Sequence, residues 1–196
     1  MKILAVIPAR YSSTRFPGKP LSIIGNKTMV EWVYDAAVKA LEGHDSKIVV
    51  ATEDKRIYEH CTQLGLNAVI TSSEHVSGTE RLIEVADIEE LSYDIYLNIQ
   101  GDEPLINPGD IKDLIVSVKP WIKIHGEKIV GTLLATLDKE EAESRDCVKA
   151  FTKKNNSQIV LFTRSVFYDY DISEVEGFRK HVGIYLFTKK SLRNIC

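Results

Sequence analysis

The sequence predicts an α/β protein with a mostly parallel sheet, and three observations carry the prediction. Unbroken apolar runs at Ile3–Ile7, Ile48–Ala51 and Ile95–Leu97 have the pattern of strands covered on both faces. Amphipathic segments between them give an alternating β-α-β-α-β order, which builds parallel strands with right-handed crossovers. At 196 residues with 44% hydrophobic and 27% charged side chains, the chain suits one globular domain, or one with a small subdomain. A chain of that size buries roughly 70% of its unfolded surface.

Ile3–Ile7 meets Pro8 and Arg10 at once and lacks a small-residue cleavage site, so it reads as a first strand and not a targeting peptide. The following loop, 8–21, is long and carries Arg10, Arg15 and Lys19 among Ser, Thr and Gly residues, stiffened by Pro8, Pro17 and Pro20. Loops of this length in compact domains are usually functional. Arginine forks and a lysine point charge make a phosphate grip, although a solvated basic loop has the same composition. Thr28 and Glu31 form a capping-box pattern, and Met29, Val33, Ala36, Ala37, Ala40 and Leu41 supply one apolar helical stripe. A second strand is expected over Lys47–Thr52. A helix over Asp54–Leu64 closes at Gly65, with Ile57, Cys61 and Leu64 inward and His60 in solvent. Ala68–Thr71 is a short third strand.

The polar loop from Ser72 leads into a helix at about Thr79. Ser77-Gly78-Thr79 at a helix start presents free amides and a hydroxyl to an anion or a base edge. A simple N-cap explains Thr79 equally well but leaves Arg81 unexplained. The stretch Leu97-Asn-Ile-Gln-Gly-Asp-Glu-Pro104 reads as a buried strand ending in a tight Gly101 turn that delivers Asp102 and Glu103. Open α/β sheets bind ligands at such carboxyl ends. A carboxylate beside a closely approachable glycine suits a magnesium ion that also holds substrate phosphates, and an acidic turn after a core strand has the same letters. Asn107 and Pro108 open a helix expected to stop near Lys119, before Pro120; Lys119, Lys123 and Lys128 read as a solvated face. Extended runs at Lys128–Leu137, Cys147–Thr152, Gln158–Thr163 and His181–Thr188, with a turn at Lys139–Glu143, predict antiparallel or mixed strands. A helix begins near Ser191.

A formal net charge of −3 and a pI near 6.0 give no basic field for duplex nucleic acid. Cys61, Cys147 and Cys196 are far apart, odd in number and without metal-ligand spacing, which fits a reducing compartment. No run approaches the roughly 18 apolar residues of a membrane span. A cytoplasmic location is expected. There is no Gly-x-x-x-x-Gly-Lys-Ser/Thr loop, no Gly-x-Gly-x-x-Gly after the first strand and no nucleophile elbow.

Five segments in order closely resemble the 3-deoxy-manno-octulosonate (Kdo) cytidylyltransferases, the CMP-Kdo synthetases. They are Ile-Pro-Ala-Arg-Tyr-Ser-Ser-Thr-Arg-Phe-Pro-Gly-Lys-Pro-Leu (7–21), Val-Ala-Thr-Glu-Asp (50–54), Ser-Gly-Thr-Glu-Arg (77–81), Asn-Ile-Gln-Gly-Asp-Glu-Pro (98–104) and His-Val-Gly-Ile-Tyr (181–185). The resemblance implies a Rossmann-like three-layer α/β/α fold with a mostly parallel mixed sheet of the nucleotide-diphospho-sugar transferase type, plus a small strand-rich dimerisation arm. It implies a homodimer that activates Kdo, an acidic eight-carbon sugar, with CTP and magnesium to give CMP-Kdo and pyrophosphate for lipopolysaccharide synthesis. Matched residue by residue, Arg10, Arg15 and Lys19 hold the triphosphate and Asp102 binds magnesium. Ala9, Ser77, Gly78 and Gln100 line the nucleotide pocket. Arg164 pairs with the sugar carboxylate and His181 hydrogen-bonds the sugar; from the residues alone, His181 is equally a structural histidine. Arg10, Lys19 and Asp102 form the implied catalytic set.

Two departures from the family pattern stand out. After Phe162-Thr-Arg164 the family has an Ile-Pro segment with further basic residues, whereas Ser165-Val-Phe-Tyr-Asp-Tyr-Asp171 is acidic and aromatic. This keeps CMP transfer to another acidic sugar, an amino-Kdo or a sialic-acid-like sugar, as the alternative. The family pattern also continues beyond the last strand into a helix, a further strand and a Val-Asp-Thr-Pro-Glu-Asp element with a second magnesium ligand. The expectation is therefore a cytidylyltransferase domain over 1–196 without those elements, and a catalytically deficient CTP-binding protein is the reading from a different class. A glycosyltransferase on a similar sheet would carry Asp-x-Asp after the central strand, which is absent.

Overall fold

The computed structural model describes residues 1–12, 16–90, 92–125, 128–153, 158–166 and 178–195. The elements are β1 (Lys2–Pro8), a 3-10 turn (Lys19–Leu21), β2 (Ile23–Ile24), β3 (Lys27–Thr28), α1 (Met29–Leu41), β4 (Asp45–Thr52), α2 (Lys55–Gln63) and β5 (Ala68–Ile70). There follow α3 (Gly78–Ile88), β6 (Ile95–Asn98), α4 (Pro108–His125), β7 (Val130–Ala135) and α5 (Lys139–Glu143). The last are β8 (Lys149–Thr152), β9 (Ile159–Thr163), β10 (Phe178–Thr188) and α6 (Lys189–Arg193). The chain divides into two units, Met1–Gly131 with Ile184–Cys196, and Thr132–Gly183.

In the first unit the strands run in the order β5-β4-β1-β6, all parallel, and β6 then pairs antiparallel with Tyr185–Thr188 of β10. This is the mixed, mostly parallel sheet of a Rossmann-like α/β fold. Ile3 to Ile7 are wholly buried because β1 is central and covered on both faces. Alternation sends Leu4 and Val6 to one side, where they pack with Val49, Ala51 and Tyr96 against Leu82, Val85 and Ala86 of α3. Helix α1 contacts β1 and β4 and packs beside α4. Its start is fixed by the predicted capping box: the Thr28 N–H donates to Glu31 Oε2 at 2.7 Å.

Three local expectations need correction. Helix α4 continues through Pro120 to His125 instead of ending at Lys119. Pro120 and Val116, whose carbonyl loses its bond to the missing N–H, are both exposed, so the lost hydrogen bond lies on the open face of the helix. Leu64 is 46% exposed and not part of the inward face, because α2 has already ended at Gln63. His60 is not simply solvated: its Nε2 lies 3.0 Å from Thr28 Oγ1. Cys61 is fully buried, and burial pushes its thiol up to about 11, which leaves it inert.

In the second unit β8 pairs antiparallel with β9 and with Phe178–Lys180 of β10. The Phe151 and Phe178 rings pack with centres 4.6 Å apart and planes inclined at 32°. Asp138 and Glu141 form a capping box at α5, and Lys180 Nζ reaches Glu141 Oε1 at 2.5 Å. The buried Lys149 donates its ammonium to the Ser144 carbonyl. Among the described residues no helix is long and apolar enough to cross a membrane.

Candidate functional site

The site of the first unit gathers at the carboxyl ends of β1 and β6, which lie side by side. A Cβ on Gly101 would stand 2.6 Å from the Pro8 carbonyl oxygen. Only glycine lets the turn after β6 pass this close to the end of β1. That approach brings Asp102 to the loop following β1. Gly18 adopts a left-handed conformation at φ +72° and, with Pro20 in the first turn, opens the short 3-10 turn that begins at Lys19. Lys19 Nζ lies 2.9 Å from Asp102 Oδ2.

Arg10 follows β1 directly. Its Nη2 is buried with no hydrogen-bond partner among the described residues. An unsatisfied buried donor costs about 1–3 kcal/mol, which a phosphate oxygen would recover. The Arg10 charge reaches Arg81: burial lowers the Arg81 pKa, Glu53 opposes that shift, and Arg10 adds to it. Arg81 is 1% exposed, and its Nη2 is 2.7 Å from Glu53 Oε2. Glu53, Glu84 and Glu80 all favour the Arg81 charge, so what suits an anion here is the unpartnered Arg10 donor and not a net positive field.

The pocket-lining candidates surround the same strand ends. Ala9 is buried and donates its N–H to the Ala51 carbonyl at 2.9 Å. Ser77 caps α3, its Oγ accepting from the Glu80 N–H at 3.2 Å. Gly78 lies against Pro8, where an added Cβ would be 3.1 Å from Pro8 Cγ. Asn98 is wholly buried, donating Nδ2 to Thr79 Oγ1 at 3.4 Å while its Oδ1 has no partner among the described residues. Gln100 follows it, half-buried. Arg15 lies outside the described residues.

Arg164 and His181 belong to the second unit. Arg164 is exposed, and its Nη1 donates to the Asp146 carbonyl at 2.9 Å and the Arg145 carbonyl at 3.2 Å. The His181 Nε2 is 3.0 Å from Thr132 Oγ1, and its ring meets Phe162 edge-on at 4.7 Å. Burial first, and the Arg164 charge second, hold the His181 pKa below its ordinary 6.5.

The cytidylyltransferase family model matches residues 4–196. The chain belongs to that family. It is 43% identical over 192 residues to the 3-deoxy-manno-octulosonate cytidylyltransferase of Leptospira interrogans serovar Lai, covering 97% of this chain and 74% of that one. It is 42% identical over 186 residues to the enzyme of the same name from Fusobacterium nucleatum, covering 94% of this chain and 72% of that one. A solved structure described as CMP:2-keto-3-deoxy-manno-octonic acid synthetase complexed with CTP superposes with a TM-score of 0.84 at 35% identity, over all of this chain and 77% of that one.

For a cytidylyltransferase of this kind the metal question turns on Asp102. Among the described residues there is no group of three or more His, Cys, Asp and Glu side chains that could hold a metal ion by itself. Magnesium does not need such a cage when substrate phosphates supply further oxygens. Asp102, 54% exposed in its side chain, fits that mode of binding.

Two residues beside the candidate site were not singled out from the sequence. Glu53 sits within the quoted Val50–Asp54 segment but has no chemistry assigned by its neighbours. The one available signal was Arg81, a charge that a helix cap did not explain and that the fold buries against Glu53. Asn98 read as an interior strand residue, and nothing in the sequence marked its unpartnered oxygen.

Proposed function

We propose that this chain transfers CMP from CTP to 3-deoxy-D-manno-octulosonate, giving CMP-Kdo and pyrophosphate for lipopolysaccharide synthesis. The anomeric hydroxyl oxygen of the sugar attacks the α-phosphorus, the bond from that phosphorus to the oxygen bridging to the β-phosphate breaks, pyrophosphate leaves, and the hydroxyl proton passes to solvent. No covalent enzyme intermediate is needed, so the protein contributes positioning and charge neutralisation. Arg10, Arg15 and Lys19 hold the triphosphate and the departing pyrophosphate; Ala9, Ser77, Gly78 and Gln100 line the base and ribose. Asp102 holds magnesium, which when bound neutralises charge on the phosphates. Arg164 takes the sugar carboxylate and His181 a sugar hydroxyl, the whole chain acting as one cytidylyltransferase domain.

The observation that carries this reading is the meeting of Lys19 and Asp102 at the carboxyl end of the central strands, in a chain matched to the family over residues 4–196. A homodimer and a cytoplasmic location belong to the same proposal. The exposed Val160, Leu161 and Phe162 of β9 give the second unit an apolar surface that suits such a dimer.

Pyrophosphate release with CTP, magnesium and Kdo, run beside a sialic acid and a no-sugar control, tests the proposal. Release dependent on Kdo is expected. Release only with another acidic sugar supports the second reading, which rests on the departure at 165–171, a segment outside the described residues from Phe167 onward. CTP binding without release under any sugar leaves a nucleotide-binding protein.

A further inference from the structure

Glu53 lies in the turn between β4 and α2, 13% exposed in its side chain, and is held from two sides. Its Oε2 forms an ion pair with Arg81 Nη2 at 2.7 Å but accepts no hydrogen bond among the described residues. Arg81 is itself fixed from Nη1, which donates to Thr71 Oγ1 at 2.5 Å and to the Ser72 carbonyl at 3.1 Å. The other oxygen, Oε1, accepts the backbone N–H of Tyr11 at 3.1 Å. That amide belongs to the peptide that leaves Arg10, so the carboxylate sets the direction in which the Arg10 side chain departs from the end of β1. Tyr11 is held further by Arg56, whose guanidinium lies 3.3 Å from the centre of its ring, and by its carbonyl, which accepts the Gly18 N–H at 2.9 Å. Glu53 also has an electrostatic effect. The Arg10 charge disfavours that of Arg81, and Glu53 opposes this effect.

We infer that Glu53 is a positioning residue for Arg10: through the Tyr11 amide and its pair with Arg81 it aims the Arg10 guanidinium at the nucleotide phosphates. The inference rests on the proposed role of Arg10 in holding CTP. It assigns Glu53 no contact with substrate. An aimed guanidinium loses less conformational freedom when it binds an anion, so the effect appears in affinity for CTP and not in affinity for the sugar.

The test is calorimetric binding of magnesium-CTP to the wild type, Glu53→Gln, Arg10→Ala and the double variant, with the sugar KM and melting temperature of each. Glu53→Gln keeps the shape and removes the charge. It is expected to weaken CTP binding about tenfold, the scale of one charge-assisted hydrogen bond, with the sugar KM within twofold. In the Arg10→Ala background the same substitution is expected to change CTP affinity by less than twofold, because the group through which Glu53 acts is gone. A merely structural role gives equal losses in both backgrounds and for both substrates, and would overturn the inference. So would wild-type affinity in Glu53→Gln. If Glu53→Gln does not fold, Glu53→Asp, which keeps the charge one methylene shorter, carries the same cycle. A wild type that binds no CTP overturns both this inference and the reading beneath it, which distinguishes the two failures.

Discussion

Lys19 and Asp102, 83 residues apart in sequence, form an ion pair of 2.9 Å across the mouth of the first unit's sheet. The pair joins the residue proposed to grip the triphosphate to the one proposed to hold magnesium. Both side chains are substantially exposed, at 36% and 54%, so the pair adds only about 0–1 kcal/mol of stability. Asp102→Asn is therefore expected to leave the melting temperature within about 3 °C of wild type. Magnesium-dependent pyrophosphate release should fall at least about a hundredfold, the scale of losing a preorganised charge at the reacting phosphates. A kinetic and thermal comparison of the two proteins checks both halves, and unchanged turnover removes Asp102 from the metal site.

Gly101 matters for space and not for backbone freedom. The atom its missing Cβ would meet is the Pro8 carbonyl oxygen at 2.6 Å, part of the central strand's end, which has no rotamer with which to yield. Gly101→Ala is expected to destabilise the protein by about 1–3 kcal/mol. It is also expected to shift Asp102 away from Lys19 and so to lower the rate of pyrophosphate release. Urea denaturation measures the first effect, and a midpoint equal to wild type would show that the turn relaxes without cost.

Much of this was legible in the sequence because it is local. Ile3–Ile7 announces a central strand by being apolar without alternation, and Gly101-Asp102 announces a tight turn at the carboxyl end of such a strand. Lys19 and Asp102 were each readable as candidate site residues; their contact was not, since no local pattern pairs positions so far apart. Glu53 and Arg81 were hidden for the same reason, a buried charge pair being visible only once the fold has closed over it. Pro120 misled because the local rule assumes that the lost hydrogen bond is buried, and here it faces water.

Arg81→Met tests that buried pair directly. It leaves Glu53 as an uncompensated, largely buried carboxylate and removes the donors to Thr71 and Ser72. Breaking such a pair from one side costs about 3–5 kcal/mol. The melting temperature is expected to drop by roughly 10 °C. Arg81→Lys recovers only part of this, because an ammonium cannot reproduce the forked contacts. Thermal unfolding of both variants decides it, and a loss below about 1 kcal/mol would mean that the pair is not effectively buried.

His181 carries a pH signature of definite sign. Its pKa in the folded chain lies below the ordinary 6.5, from burial first and the Arg164 charge second. The unfolded chain therefore takes up a proton at a higher pH than the folded one does. Its contribution to stability is constant above about pH 6.5, falls as pH drops below that value, and levels off below the folded pKa. Denaturation midpoints between about pH 5 and 8 should show this slope in wild type and lose part of it in His181→Gln. Ring titration by NMR in Arg164→Ala should move the His181 pKa upward yet leave it below 6.5, burial being the larger cause.

Arg164→Ala also separates the two substrates. The described contacts of Arg164 use Nη1 alone, in bonds to the Arg145 and Asp146 carbonyls that orient the planar guanidinium. A guanidinium so held suits a planar carboxylate, and Kdo carries one whereas CTP carries only phosphates. Removing it is expected to raise the sugar KM by about tenfold to a hundredfold, the range of one charge-assisted pair, with the CTP KM changed less than twofold. The exposure of Arg164 predicts little change in folding stability, so lost protein cannot mimic the effect. Initial rates over a grid of both substrates give the two constants together. Equal rises in both would take Arg164 out of the sugar site and leave the carboxylate to be held elsewhere.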